Sequence, residues 1–267
     1  MEGRSWLSLL IWGTPLMTQK LLMTHLYPYL TSKEKKGTVE AWFFVRYWEE
    51  LPHVRLRVLT ERGNHKSILS DVHFLLDPYV EAGQLWKLEE TNYHPELSRY
   101  FKENMDNVEF LFFMQSRWAI SLFQRNLNEE TRLYAVSESA RCAVQNAYPE
   151  IELQHQFVKE QRNYFKGRLE FQPTTNKVIS QKYRVFSTIS ANLKNEFLSN
   201  SKNIAQILKL TSAIAESEHP KVLKKQRIRD MVHMTVNKCF LTDHDQWEFL
   251  LYEFLDRRYL SNFAKNR

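Results

Sequence analysis

The sequence predicts an α+β protein: an antiparallel sheet with covering helices in the N-terminal part (residues 1–105), packed against a C-terminal helical bundle (106–267). Two observations carry this reading. Four β-prone runs fall before residue 94, separated by turn signals and helical patterns. From about residue 106, long stretches repeat their apolar residues at helical spacing and hold almost no glycine. The low counts of six Gly and eight Pro in 267 residues leave no flexible linker, which favours one continuous unit.

Taken in order, "SWLSLLIW" (5–12) reads as a buried strand. Thr14 and Pro15 then supply an N-cap and a first-turn proline for a helix through "LMTQKLLMTHLYPYL". Runs at 39–48 and 53–60 form a hairpin across "EELP", with Pro52 limiting pairing at the entry of the second strand. A helix over 66–82 is ended by Gly83, and "QLWKLEETNY" (84–93) alternates as another strand. Helices follow over 106–126, 128–147, 150–170, 175–216 (broken near Asn200–Ser201), 222–240 and 243–263. The last begins in "TDHDQWEF", whose acidic residues suit the positive end of a helix.

Composition narrows the function classes. The net charge of +6 permits an acidic partner, but the basic residues are scattered. "KEKK" and "KVLKKQRIR" read as solvated surface, so no direct nucleic-acid contact is expected. Cys142 and Cys239 are far apart, which fits a reducing cytoplasm without disulfides or a thiolate metal site. "WLSLLIW" is too short to span a bilayer and lacks a cleavage site, so neither a membrane span nor a signal peptide is expected. There is no Gly-rich phosphate loop, HExxH, CxxC or GxSxG, and the nine histidines are not at ligand spacings. No metal or nucleotide cofactor is expected.

Three segments carry candidate chemistry. In "WFFVRYWEELPHVRLRV" (42–58), His53, Arg55 and Arg57 alternate along the second strand and so share one face. A solvent-facing sheet would explain them simply. The aromatic residues on both faces of the first strand, which also carries Arg46, argue instead for an anionic partner, because an unpaired buried charge is costly. In "NYHPELSRYF", Glu96 and Arg99 stand at i,i+3, which alone means no more than a surface ion pair. In "IRDMVHMTVNKCF", Asp230, His233 and Asn237 form a polar stripe beside an apolar face. A histidine there is a satisfied core residue or, with Asp230 or Asn237 fixing its tautomer, an acid/base group.

Together, "WFFVRYWEELPHVRLRV", "NYHPELSRY" and "MVHMTVNK" resemble the signature of the C-terminal, glutamate-elimination domain of class I lanthipeptide dehydratases, also found as stand-alone proteins in thiopeptide-type clusters. That family carries F-x-R-Y then H-[LIV]-R-L-R on a strand pair, a later Y-x-P-E-x-x-R-Y, and H-M-x-x-N-R on a late helix. The similarity runs through most of the chain. It departs where the family has glycines after R-Y (here Phe101 and Lys102), where an "ADS"-like segment appears as "FMQS", and where N-R is Asn237-Lys238.

The resemblance implies β-elimination of glutamate from glutamylated Ser or Thr in a precursor peptide, leaving dehydroalanine or dehydrobutyrine. It places the elimination-site residues on Arg55, Arg57, Arg99 and His233, with Glu96 as a substrate-binding group. Arg46, His53 and Asn237, neighbours of these positions, join Glu96 as candidate substrate-binding residues. The large glutamylation portion of full-length dehydratases is not in this sequence, so the implied partners are the precursor peptide and a separate glutamylating subunit that uses glutamyl-tRNA. The alternatives are a pyridine synthase-like cycloaddition of two dehydroalanines and a non-catalytic leader-peptide scaffold.

Overall fold

The computed structural model describes residues 3–100, 105–170, 175–193, 206, 209–210 and 221–265. The chain divides into two compact units, Met1–Arg125 and Asn126–Arg267.

The first unit is built on a four-stranded antiparallel sheet, order β2-β3-β1-β4, from β1 (Arg4–Trp12), β2 (Ala41–Trp48), β3 (Pro52–Glu61) and β4 (Lys87–Thr91). Registers such as Leu9↔Leu56 and Phe44↔Leu56 put Leu7, Leu9, Ile11, Val54, Leu56, Val58, Trp42 and Phe44 on one face. All of them are buried. Helices α1 (Pro15–Leu21), α2 (Tyr27–Lys35) and α3 (His65–Glu81) also contribute buried aliphatics, among them Leu21, Leu30, Ile68, Val72 and Leu76. Contacts such as Tyr27 against Trp42 tie this layer to the same sheet face. Thr14 Oγ1 accepts from the Met17 N–H, as the N-cap reading requires.

The predicted single helix after Thr14 is interrupted by a π turn at Leu22–Leu26. Pro28 stands two residues after it, and its missing N–H and bulky ring cannot continue a regular i→i−4 ladder. Gly83, at φ 68°, stands just past the end of α3 in the left-handed conformation that suits glycine. Strand β4 is shorter than predicted because residues 92–95 leave the ladder, and Tyr93 reaches the aromatic rings of Trp6 and Phe43.

A short helix, α4 (Leu97–Tyr100), precedes α5 (Met105–Gln124). The sequence groups α5 with the helical part, whereas it belongs to the sheet unit. Phe112 and Phe113 meet Phe43 and Trp42, and Ser116 Oγ accepts from the Phe44 N–H at 3.2 Å. A helix thus covers the β2 edge, which would otherwise present unpaired backbone groups.

The second unit contains α6 (Glu129–Ala147), α7 (Ile151–Arg168), α8 (Thr175–Leu193), α9 (Lys221–Cys239) and α10 (His244–Lys265). Asn128 caps α6 by accepting from the Thr131 N–H at 2.9 Å. Phe157 and Phe165 pack on Tyr252, and Phe186 packs on Tyr134 and Phe254. The predicted break near Asn200–Ser201 and most of the predicted continuation of α8 to residue 216 lie outside the described residues, as do Phe101 and Lys102.

Candidate functional site

Pairing across the sheet decides what surrounds the cationic strand. Arg57 lies between Phe43 and Ser8, Arg55 between Val45 and Leu10, and His53 between Tyr47 and Trp12. The three therefore share the face opposite the aliphatic core.

His53 is buried, with its ring 4.1 Å from Trp12 and stacked at 5.7 Å on Tyr47. Nδ1 stands 3.2 Å from the Leu51 carbonyl, and Nε2 accepts from Arg55 Nε at 3.2 Å. These contacts assign the neutral Nδ1–H tautomer. Burial lowers the pKa, only partly opposed by the Leu51 carbonyl. Arg55 donates to Glu49 at 2.5 Å and lies 3.6 Å over the Tyr47 ring.

Arg57 differs. It is 8% exposed, 4.9 Å over the Tyr93 ring and 5.7 Å over Phe43. Its Nε and Nη1 have no hydrogen-bond partner among the described residues. Desolvation lowers its pKa, and the Tyr93 hydroxyl is the largest opposing influence. A buried guanidinium with open donors is unfavourable until an anion accepts from it.

The turn before α5 adds two of the predicted residues. Arg99 Nη1 donates to Glu96 at 3.1 Å, and Glu96 acts electrostatically on both Arg57 and Tyr93. The structure thus groups Arg57 with Glu96 and its ion-pair partner Arg99, while Arg55 joins His53 at the hairpin end of the same face. Arg46 lies on the Trp42–Phe44 face of β2, apart from the other candidate substrate-binding residues. It sits on the opposite, aliphatic face, buried, with its guanidinium 5.2 Å over Phe44 and Nη2 donating to Gln19 of α1. Alternation along β2 sends it there.

Glu109, which the sequence reading did not single out, belongs to this region together with Tyr93 of the "NYHPELSRYF" segment. Glu109 of α5 is 9% exposed and accepts from Trp6 Nε1 at 2.9 Å and from the Tyr93 hydroxyl. Burial pushes its carboxyl up, while the Tyr93 and Trp6 donors pull it down. Glu109 and Tyr93 line a cavity of about 1020 Å³ with Trp6, Ser8, Thr91 and Phe110. The signal was present: Glu109 lies at helical spacing with Phe112, Phe113 and Ser116, as a lone carboxylate in a buried stripe.

In the second unit, His233 Nδ1 stands 2.5 Å from Glu248 Oε1 of α10. The His233 side chain is 36% exposed, whereas Glu248 is fully buried. Burial raises the Glu248 pKa, and the hydrogen bond and charge of His233 oppose the shift. The sequence offered Asp230 or Asn237, both buried on α9, to orient the imidazole. Glu248 from the next helix bonds Nδ1. It too is a carboxylate in a buried stripe, spaced with Leu251, Tyr252 and Leu255.

Among the described residues there is no group of three or more His, Cys, Asp or Glu side chains placed to hold a metal ion. No helix among them is long and apolar enough to cross a membrane.

A sequence model of the family described as "Lantibiotic biosynthesis dehydratase C-term" matches residues 6–260. No curated protein sequence matches. Among solved structures, the chain is similar to the tRNA-dependent lantibiotic dehydratase MibB from Microbispora sp. 107891, with TM-score 0.71 and 18% identity. That match covers 98% of this chain and 28% of MibB, so the chain spans just over a quarter of that relative. It is also similar to TsrL (TM-score 0.69, 12% identity, 96% of each chain). A third similar structure is TbtD, a pyridine synthase from thiomuracin biosynthesis (TM-score 0.63, 12% identity, 95% of this chain and 98% of that one).

Proposed function

The chain belongs to the lantibiotic biosynthesis dehydratase C-terminal family, and on that premise we propose that it eliminates glutamate from glutamylated Ser or Thr of a precursor peptide. The observation that carries the reading is Arg57, a buried guanidinium with open donors on an aromatic-walled sheet face. The substrate is an ester through the α-carboxyl of glutamate, which presents a γ-carboxylate and an ammonium. Arg57, with Arg99 close to Glu96, receives the γ-carboxylate. Arg55 supplies donors to the peptide carbonyl as enolate-like charge builds there, a contribution of about 10²–10³-fold for one well-placed donor.

His233 takes the α-proton of the former Ser or Thr. The Cα–Cβ double bond forms, the Cβ–O bond breaks, and glutamate leaves as a carboxylate that needs little acid assistance. General-base catalysis of this kind contributes about 10²–10⁴-fold. The Glu248 carboxylate holds the resulting imidazolium and fixes the ring through Nδ1. Glu96, His53 and Asn237 are assigned to substrate contact. The partners in this reading are the precursor peptide and a separate glutamylating subunit that draws on glutamyl-tRNA. Cytoplasmic localisation follows from those partners.

The test is His233→Ala together with the glutamylating partner. Glutamylated peptide should accumulate, seen by mass as the retained glutamyl adduct. Dehydration at the wild-type rate would remove His233 from the reaction. A second reading, cycloaddition of two dehydroalanines, is favoured by the match to a pyridine synthase over 98% of that chain. Incubation with a dehydroalanine-containing peptide separates the two, because macrocyclisation with leader loss has a different mass from glutamate release.

A further inference from the structure

Three features around the first unit's cavity are not used by the mechanism above. Glu109 places a carboxylate on its wall, held by Trp6 Nε1 and the Tyr93 hydroxyl. The aromatic rings of Trp6, Tyr93 and Phe110 line the same space. Ser8 also lines it, is 1% exposed, and has a hydroxyl without a hydrogen-bond partner among the described residues. A carboxylate among aromatic faces is the chemistry that receives an organic cation. The charges around it agree. Arg4 is paired with Glu40 at 2.7 Å, so the lining sets Arg62 and the imidazoles of His65 and His94 against Glu90, Asp106 and Glu109.

We infer that this cavity is a primary-ammonium site, with Glu109 as the anionic receptor, Ser8 Oγ as a second acceptor, and the Trp6 and Tyr93 rings as its walls. The inference rests on the elimination reading and deepens it: the ammonium is the α-amino group of the glutamyl ester. Tyr93 joins the two subsites, since one ring carries Arg57 at 4.9 Å and its hydroxyl binds Glu109. Ser8 lies directly across the β1–β3 ladder from Arg57. An anion receptor and a cation receptor side by side match a glutamyl group, whose carboxylate and ammonium are three carbons apart. A dicarboxylic acyl group without the amine satisfies only the first.

The experiment uses two non-eliminating peptide probes. Each replaces the reacting Ser with diaminopropionate, acylated in one by the α-carboxyl of glutamate and in the other by glutaric acid. Each is made with a free and with an acetylated amino terminus. Affinities are measured by calorimetry for the full chain and for Glu109→Gln and Glu109→Asp. Loss of one charge-assisted contact corresponds to about tenfold or more in affinity. The wild type should therefore prefer the glutamyl probe by about that factor. Glu109→Gln, which keeps an acceptor for Trp6, should abolish the preference, and Glu109→Asp should restore part of it.

Equal binding of the two probes by the wild type, or a preference unchanged in Glu109→Gln, overturns the ammonium site and leaves elimination standing. A preference that disappears when the amino terminus is acetylated overturns the assignment to the glutamyl amine. Failure of the wild type to bind either probe overturns both this site and the elimination reading.

Discussion

Replacing Arg57 with methionine should stabilise the protein while stopping its chemistry, and this opposition distinguishes a binding residue from a structural one. The two open donors, Nε and Nη1, are buried without partners among the described residues. Each unsatisfied donor costs about 1–3 kcal/mol, or roughly 2–6 kcal/mol together. The contacts with Tyr93 and Phe43 offset this, at about 0.5–2 kcal/mol each for cation–π pairs. The residue is a net burden of roughly 1–2 kcal/mol on the ligand-free fold by these terms. Methionine keeps a long stem and a sulfur–aromatic contact while removing the open donors. Urea unfolding followed by circular dichroism should therefore show a gain of about 1–2 kcal/mol, with a Tm rise of about 2–5 °C. Glutamate elimination should fall by about 10²-fold or more. A loss of stability would mean that the fold itself needs the guanidinium. Undiminished elimination would remove Arg57 from the substrate site.

Two further predictions concern the histidines. Glu248→Gln replaces the fully buried carboxyl group at His233 Nδ1 but leaves a hydrogen-bonding side chain. Elimination should drop by about 10–10³-fold through weaker support of the imidazolium, with little change in KM, and an unchanged rate would exclude the pair from proton transfer. His53 is held neutral, with its pKa lowered below the ordinary histidine value of 6.5 by burial. Its contribution to stability is thus complete above pH 6.5 and is lost as pH falls through the lowered native value. Unfolding free energies measured from pH 7.5 down to pH 4.5 should show this loss in the wild type. His53→Phe should lack that component, and identical pH profiles would refute the assignment.

Periodicity by itself determined the elements. Alternation in "PHVRLRV" placed His53, Arg55 and Arg57 on one sheet face, and helical spacing marked α5, α6, α7, α9 and α10 to within a few residues of their observed ends. Local chemistry also marked the Thr14 cap and Gly83, because a cap or a left-handed turn is decided by residues close in the chain. What long-range packing decided is which partner each polar group meets. Arg46, whose face alternation fixes, met Gln19 from 27 positions away. Glu109 met Trp6 across 103 positions, and Glu248 bonded His233 from a different helix. Spacing reports which side of its own element a residue occupies, but it carries no information about the neighbour brought to that side. A carboxylate in an apolar stripe announces that a buried partner exists, and only the assembled tertiary structure identifies it.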